Sequence, residues 1–158
     1  YLGFDSLTNV LSEALENKKG LFVLAATSNP EGKEIQRAKF GNRTIAADIW
    51  ASLAKANKVN ARANAQIGSF GAVVGATLNL NAYGLGDVQT ESGQLTPILA
   101  PGFGAQGAAL DEIGDLFGAS ANRVLASVSR SVLSAGAAGI ASAIDLAKTQ
   151  LAAGLTHA

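Results

Sequence analysis

The chain reads as an α/β protein: one opening helix, then four strand–helix units. Three observations predict this. Short continuous apolar runs recur, such as Leu21-Phe22-Val23-Leu24-Ala25-Ala26, and runs of this kind suit strands buried on both faces of a parallel sheet. Between them lie stretches with apolar residues spaced i, i+3, i+4, i+7, the helical period. Each strand-like run ends in a polar or Gly-rich cluster. Strands alternating with helices imply parallel pairing through crossover helices.

The elements follow in order. Asp5 is placed to cap a helix carrying Leu7, Val10, Leu11 and Ala14 on one face. Lys18, Lys19 and Gly20 close it, with cations and Gly where a helix C-terminus prefers them. The first strand is Leu21 to Ala26, followed by the polar Thr27-Ser28-Asn29-Pro30-Glu31-Gly32. A helix is expected from about Arg43 to Ala56, with Ile45, Ile49 and Leu53 as its stripe. The second strand reads Phe70 to Ala76, and a Gly- and Asn-rich connection with a short helix runs on to about Gln94. The third strand, Pro97 to Ala100, runs into Pro101-Gly102-Phe103-Gly104-Ala105-Gln106-Gly107, with a helix from Ala108 to Phe117 after it. The fourth strand is Val124 to Ser129. The last helix is Ala137 to Leu151, with Ile140, Ile144, Ala147 and Leu151 on one side.

Four such units fit a small doubly wound sheet or half of an eight-fold barrel. A whole barrel needs about 250 residues, so this chain of 158 is one only if it is a piece. The opening Tyr1-Leu2-Gly3 and the absence of Met mark a processed product, a fragment, or the ordered part of something longer.

Composition narrows the function classes. At 48% hydrophobic the chain can bury a core. Twelve basic and twelve acidic side chains cancel, which leaves no footprint for nucleic acid or an anionic membrane surface. There is no Cys, hence no disulfide framework, thiolate metal site or Cys nucleophile; this is compatible with a cytoplasmic location. The one His, His157, sits near the C-terminus and argues against a His-rich metal site or a Ser-His-Asp triad. No apolar stretch approaches the roughly 20 residues a bilayer needs, and the first residues, without a basic stretch followed by an apolar run, give no expectation of a signal peptide. Asn42-Arg43-Thr44 fits a glycosylation sequon by chance. The 31 Ala and 18 Gly suit close helix–sheet packing and turns where backbone approaches a ligand.

Both candidate architectures place ligands at the C-terminal ends of strands. Four clusters fall there: Ser28-Asn29-Pro30, Gly75-Ala76-Thr77, Pro101 to Gly107, and Ser129-Arg130-Ser131. Gly102 to Gly107 matches G-x-G-x-x-G, but the carboxylate a dinucleotide site expects about 20 residues later is absent from Asn122 to Val128. A phosphate cradle is the better reading, because glycines let backbone N–H groups approach an anion; a turn without a ligand is the plain alternative. Arg130 follows the next strand and would flank the same mouth, so Gln106 can offer an amide donor and Arg130 a charged fork. Ser28 either binds a ligand or caps the turn before Pro30, and local sequence favours the cap. Trp50 reads as core or interface. Asp5, Asp48, Asp111, Asp115 and Asp145 fall in predicted helices, so none is well placed as a general base.

Together the clusters resemble those of orotidine 5'-monophosphate decarboxylases, particularly their longer bacterial branch. The motifs are Thr27-Ser28-Asn29-Pro30-Glu31-Gly32, Val73-Val74-Gly75-Ala76-Thr77, Ala100-Pro101-Gly102-Phe103-Gly104-Ala105-Gln106-Gly107 and Ser129-Arg130-Ser131, in that order. Tyr1-Leu2-Gly3-Phe4-Asp5-Ser6 is similar to the segment after that family's fourth strand. The resemblance implies strands 5 to 8 of a (β/α)8 TIM barrel, the C-terminal half of a single domain over residues 1–158. It implies removal of the C6 carboxylate of orotidine monophosphate to give UMP in pyrimidine biosynthesis, without metal or cofactor, in a cytoplasmic homodimer. Ser28 would then bind the imide edge of the pyrimidine. Pro101 and Phe103 would line the pocket near the base, with Gly104 in the same Gly-rich run, and Gln106 and Arg130 would bind the 5'-phosphate. The family's catalytic D-x-K-x-x-D belongs to an earlier strand and does not occur in these residues. One of its Asp residues would come from the partner chain. Ala108 stands where a second Gly is common. This chain alone would therefore hold the binding half of the site and be inactive. The rival readings are a non-catalytic phosphate-binding α/β module and another phosphate-binding barrel enzyme.

Overall fold

The structure, a computed structural model, describes residues 3–86 and 95–156. A 3-10 turn, Phe4–Leu7, leads into α1, Thr8–Glu16. Asp5 lies inside that turn and caps nothing. The tighter turn also shifts the helical phase, so Leu7, Leu11 and Ala14 pack on the core while Val10 faces solvent. α1 ends in a Schellman arrangement: the Lys19 N–H donates to Ala14 O at 2.7 Å and the Lys18 N–H to Leu15 O at 3.0 Å. Lys18, at φ 55°, takes the left-handed place expected of Gly20. Gly20 serves close packing instead, because a Cβ there would meet Ser69 O at 2.7 Å.

β1 is Leu21–Ala26. The polar stretch after it is more structured than expected: α2 runs Pro30–Arg37, with Pro at the first helical position, Glu31 in the first turn and Arg37 in the last. No residue of α2 is buried, so it has no apolar stripe to reveal it. A short antiparallel hairpin follows, β2 (Lys39–Phe40) with β3 (Arg43–Thr44). It takes Arg43 out of the expected helix. α3 is Ile45–Val59, capped by the Thr44 hydroxyl, which accepts from the Ala47 N–H at 3.0 Å. Its buried face is Ala46, Ile49, Trp50, Leu53 and Asn57.

β4 is Phe70–Val74, two residues shorter than expected. A 3-10 turn, Leu80–Tyr83, begins the connection beyond it; the rest of that connection to Gln94, like His157, includes residues outside the described ones. β5 is Ile98–Pro101; Pro97 has no N–H for a ladder but its carbonyl accepts from the Ala72 N–H at 2.9 Å. The helix expected from Ala108 begins late. Ala108 is held in a bridge with Phe103, so only a 3-10 turn, Leu110–Glu112, and α4, Ile113–Phe117, form. A second 3-10 stretch, Gly118–Arg123, leads to β6, Val124–Ser127. α5, Arg130–Leu133, is an extra short helix, and α6 runs Gly136–Leu155. Ala147 and Leu151 of α6 pack on the core, whereas Ile144 is exposed.

The main sheet has four strands in the order β1-β4-β5-β6, every neighbouring pair parallel. The register places Val23, Ala72, Ile98 and Val124 in one row and Leu24, Val73, Leu99 and Leu125 in the next, on the opposite face. The first row lies under the helices, with Val23, Ala72 and Ile98 buried. The second is open at its two ends, where Leu24 is 53% exposed and Leu125 51%, while Val73 and Leu99 are half-buried. Leu53 of α3 is fully buried on the covered side, a burial that contributes about 2 kcal/mol.

Candidate functional site

The C-terminal ends of the four main strands form one edge, and each carries one of the clusters singled out in the sequence. Hydrogen bonds extend the ladder past the strands: Gly75 N–H donates to Ala26 O at 2.9 Å, and Ala76 N–H to Pro101 O at 2.8 Å. Close packing continues the line. A Cβ on Gly75 would lie 3.6 Å from Ser28 N; one on Gly102 would lie 3.4 Å from Ala76 N and 3.6 Å from Thr77 Cγ2. One on Gly104 would lie within collision distance of the Ser131 side chain. Ser28, Gly75–Thr77, Gly102–Gly104 and Ser131 thus lie side by side in strand order, and Arg130 stands next to the last of them in the chain.

Ser28 is exposed at the end of β1, where its local sequence favours a turn cap over a ligand role. It makes no capping bond: the cap position of α2 is Asn29, also without a side-chain bond. What holds this segment is Gln36 of α2. Its Oε1 accepts from the Thr27 N–H at 2.9 Å and its Nε2 donates to Thr27 Oγ1 at 3.0 Å. Gln36 was missed because α2 was missed. The local clue was Asn29-Pro30-Glu31, a cap residue, a first-turn Pro and a first-turn acid.

The Gly-rich loop closes on itself. Gly104 N–H donates to Ala108 O at 2.8 Å, Gly107 N–H to Gly104 O at 2.9 Å and Ala108 N–H to Gly102 O at 3.2 Å. Gly102, Gly104 and Gly107 have φ of 122°, 71° and 110°, which side chains other than Gly rarely adopt. The expected cradle is therefore narrower than the motif suggests. Three of its N–H groups serve the loop, and those of Ala105 and Gln106 make none of these bonds. No long helix opens on the loop either, since α4 starts only at Ile113. This arrangement is unlike a dinucleotide fingerprint, in which the turn runs straight into a helix.

Gln106 is exposed at the loop tip and Arg130 is exposed as the first residue of α5. Among the described residues neither side chain has a hydrogen-bonding or ionic partner. Pro101 is half-buried, while Phe103 is directed into the core at 3% exposure. Beside the edge a groove of about 320 Å³ is lined by Gly104, Gly107, Val128, Ser131, Leu146 and Gln150, among others. The other arginine of this region has a structural task. Arg123 is buried, with its guanidinium 5.5 Å from the Trp50 ring centroid and donating to Ser120 Oγ at 2.8 Å. Trp50 is accordingly core. Among the described residues no helix is long and apolar enough to cross a membrane.

The arrangement offers an amide, a guanidinium and a hydroxyl around a Gly-rich edge. That chemistry suits a ligand with an anionic group at one end and a polar edge at the other. Similarity to known proteins points the same way. The model of the orotidine 5'-phosphate decarboxylase / HUMPS family matches residues 1–143. An orotidine 5'-phosphate decarboxylase of Streptomyces coelicolor is 47% identical over 135 residues, covering 84% of this chain and 45% of that protein. One of a Nocardioides species is 44% identical over 137 residues, covering 84% and 46%. A crystal structure assigned as an orotidine 5'-phosphate decarboxylase of Streptomyces avermitilis is 42% identical, with a TM-score of 0.83 over 99% of this chain and 52% of that one. The structure of Leishmania donovani UMP synthase is more distant, at 27% identity and a TM-score of 0.51. The chain spans about half the length of the curated relatives it matches. It belongs to the orotidine 5'-phosphate decarboxylase / HUMPS family.

Proposed function

We propose that this chain is the C-terminal half of a (β/α)8 barrel, about strands 5 to 8. In this reading it supplies the phosphate- and base-binding side of a site that converts orotidine 5'-monophosphate to UMP. The observation that carries the reading is the close succession of strand ends from Ser28 through Gly75–Thr77 and Gly102–Gly104 to Ser131, in a chain whose relatives are about twice its length. The partly exposed row Leu24, Val73, Leu99 and Leu125 supports the barrel assignment. In a closed barrel such inward residues form packed interior layers, and here two of them are about half exposed.

Gln106 and Arg130 hold the 5'-phosphate, and Ser28 reads the imide edge of the base. Pro101 and Gly104 flank the pocket, while Phe103 fixes the Gly-rich loop from the core side. Binding energy gathered at the phosphate, remote from the reacting carbon, serves the transition state. There the bond between C6 and its carboxylate breaks, CO2 leaves, and the electron pair left on C6 takes a proton. The groups that assist this step, the D-x-K-x-x-D network, lie upstream of this segment, with one Asp contributed by the second subunit of a cytoplasmic homodimer. No metal or cofactor takes part.

The test compares the 158-residue chain with the full-length protein, following loss of orotidine monophosphate by its ultraviolet absorbance. The full-length protein turns the substrate over. The isolated chain associates through its partly exposed face and open strand edges and shows no turnover. Turnover by a monodisperse sample of the isolated chain would overturn both the half-barrel reading and the upstream placement of the catalytic groups.

A further inference from the structure

We propose that Ser131 is a positioning residue: packed against Gly104, its side chain sets the spacing between Gln106 and Arg130, and so the fit of a phosphate monoester between them. This rests on the nucleotide reading above. Gln106 and Arg130 lie on separate segments, one after β5 and one after β6. The ladder between those strands ends at Pro101 and Ser127, and among the described residues no side-chain bond ties Gln106 or Arg130 in place. Something else must set their separation.

The Gly104–Ser131 contact is suited to that task. A Cβ on Gly104 would collide with Ser131 Oγ and lie 3.0 Å from Ser131 Cβ and 3.8 Å from Val128 Cγ1. The bare Cα of Gly104 therefore rests against the Ser131 side chain. Gly104 is two residues before Gln106, and Ser131 directly follows Arg130. The loop between Gly102 and Ala108 is cross-linked by its own three hydrogen bonds, so a push at Gly104 moves Gln106 with it. Among the described residues the Ser131 hydroxyl makes no hydrogen bond of its own. Its contact is one of volume.

The experiment measures dissociation constants for UMP and for uridine, together with thermal midpoints, on the full-length protein. Uridine lacks the phosphate, so it reports everything but the spacing at issue. Gly104→Ala drives its new methyl into Ser131 and is expected to weaken UMP binding about ten-fold, leaving uridine within about two-fold. Ser131→Gly added to Gly104→Ala removes the collision and restores UMP affinity to within about three-fold of wild type. The thermal midpoint stays low in both, because φ 71° still strains Ala. Ser131→Ala keeps the Cβ and costs less than about three-fold.

Three results would overturn the proposal. One is a double variant that binds UMP no better than Gly104→Ala. Another is a parallel loss of uridine affinity, which would mark general damage. The third is a ten-fold loss in Ser131→Ala, which would make the hydroxyl a direct ligand. A wild-type protein that does not bind UMP would instead remove the nucleotide reading, and this inference with it.

Discussion

The two ends of the parallel sheet are built on opposite principles. At the N-terminal end Asn57 of α3 is 1% exposed, yet its amide is satisfied. Its Oδ1 accepts from the Phe70 N–H at 2.9 Å. Its Nδ2 donates to Phe70 O at 2.7 Å and to Thr96 Oγ1 at 3.3 Å. Gly68 packs so tightly there that a Cβ would collide with the Asn57 amide. At the C-terminal end Ser28, Gln106 and Arg130 are exposed, and among the described residues none of their side chains has a polar partner. One end spends its polar groups on the fold, and the other holds them available for a ligand. Stability and binding are therefore expected to respond to different substitutions.

The largest effect should come from the closed end. In the full-length protein, Asn57→Leu leaves the Phe70 N–H and C=O buried without partners, at about 4 kcal/mol of stability for the two. The midpoint of denaturant unfolding measures this loss, and UMP affinity of the folded protein should stay near wild type. A fall in UMP affinity matching the fall in stability would show that the two ends are not independent.

Next is Arg130→Ala at the open end. If Arg130 holds the phosphate as proposed, its loss should weaken UMP binding by roughly 2–4 kcal/mol. Stability should change by less than about 0.5 kcal/mol, as for other exposed side chains. Equal UMP affinity of variant and wild type would remove Arg130 from the site.

Ser28→Ala should have the smallest effect of the three. In its proposed role, loss of one hydrogen bond to the base should lower kcat/KM about ten-fold. Thermal stability should hold, since the Ser28 hydroxyl makes no bond among the described residues. Unchanged kinetics would reduce Ser28 to a turn residue, leaving Gln36 and Thr27 to shape that corner.

Parts of this molecule were legible residue by residue. β1 was found at its full extent because six successive apolar residues have no other use in a short segment. The four polar clusters were found because Gly, Pro and Ser punctuate strand ends. α2 and the hairpin were not, since every residue of α2 stays out of the core and so carries no periodic stripe. Asn57 was not either. An Asn near the end of a helix reads as surface until Phe70 and Thr96, from distant parts of the chain, close over it.

The sequence alone determined that the strands are apolar on both faces, that they are linked by helices, and that Ser28, Gln106 and Arg130 follow strand ends. Only the tertiary structure decided which face is covered. Val23 and Leu24 are neighbours of similar character, yet Val23 is buried at 4% exposure and Leu24 is left at 53%. Hydrophobicity states what burial would gain, but whether a face is buried depends on segments that arrive from elsewhere. The same holds for the contact between Gly104 and Ser131, 27 positions apart in the chain. Each reads locally as a turn residue, and only the pairing of β5 with β6 brings them together.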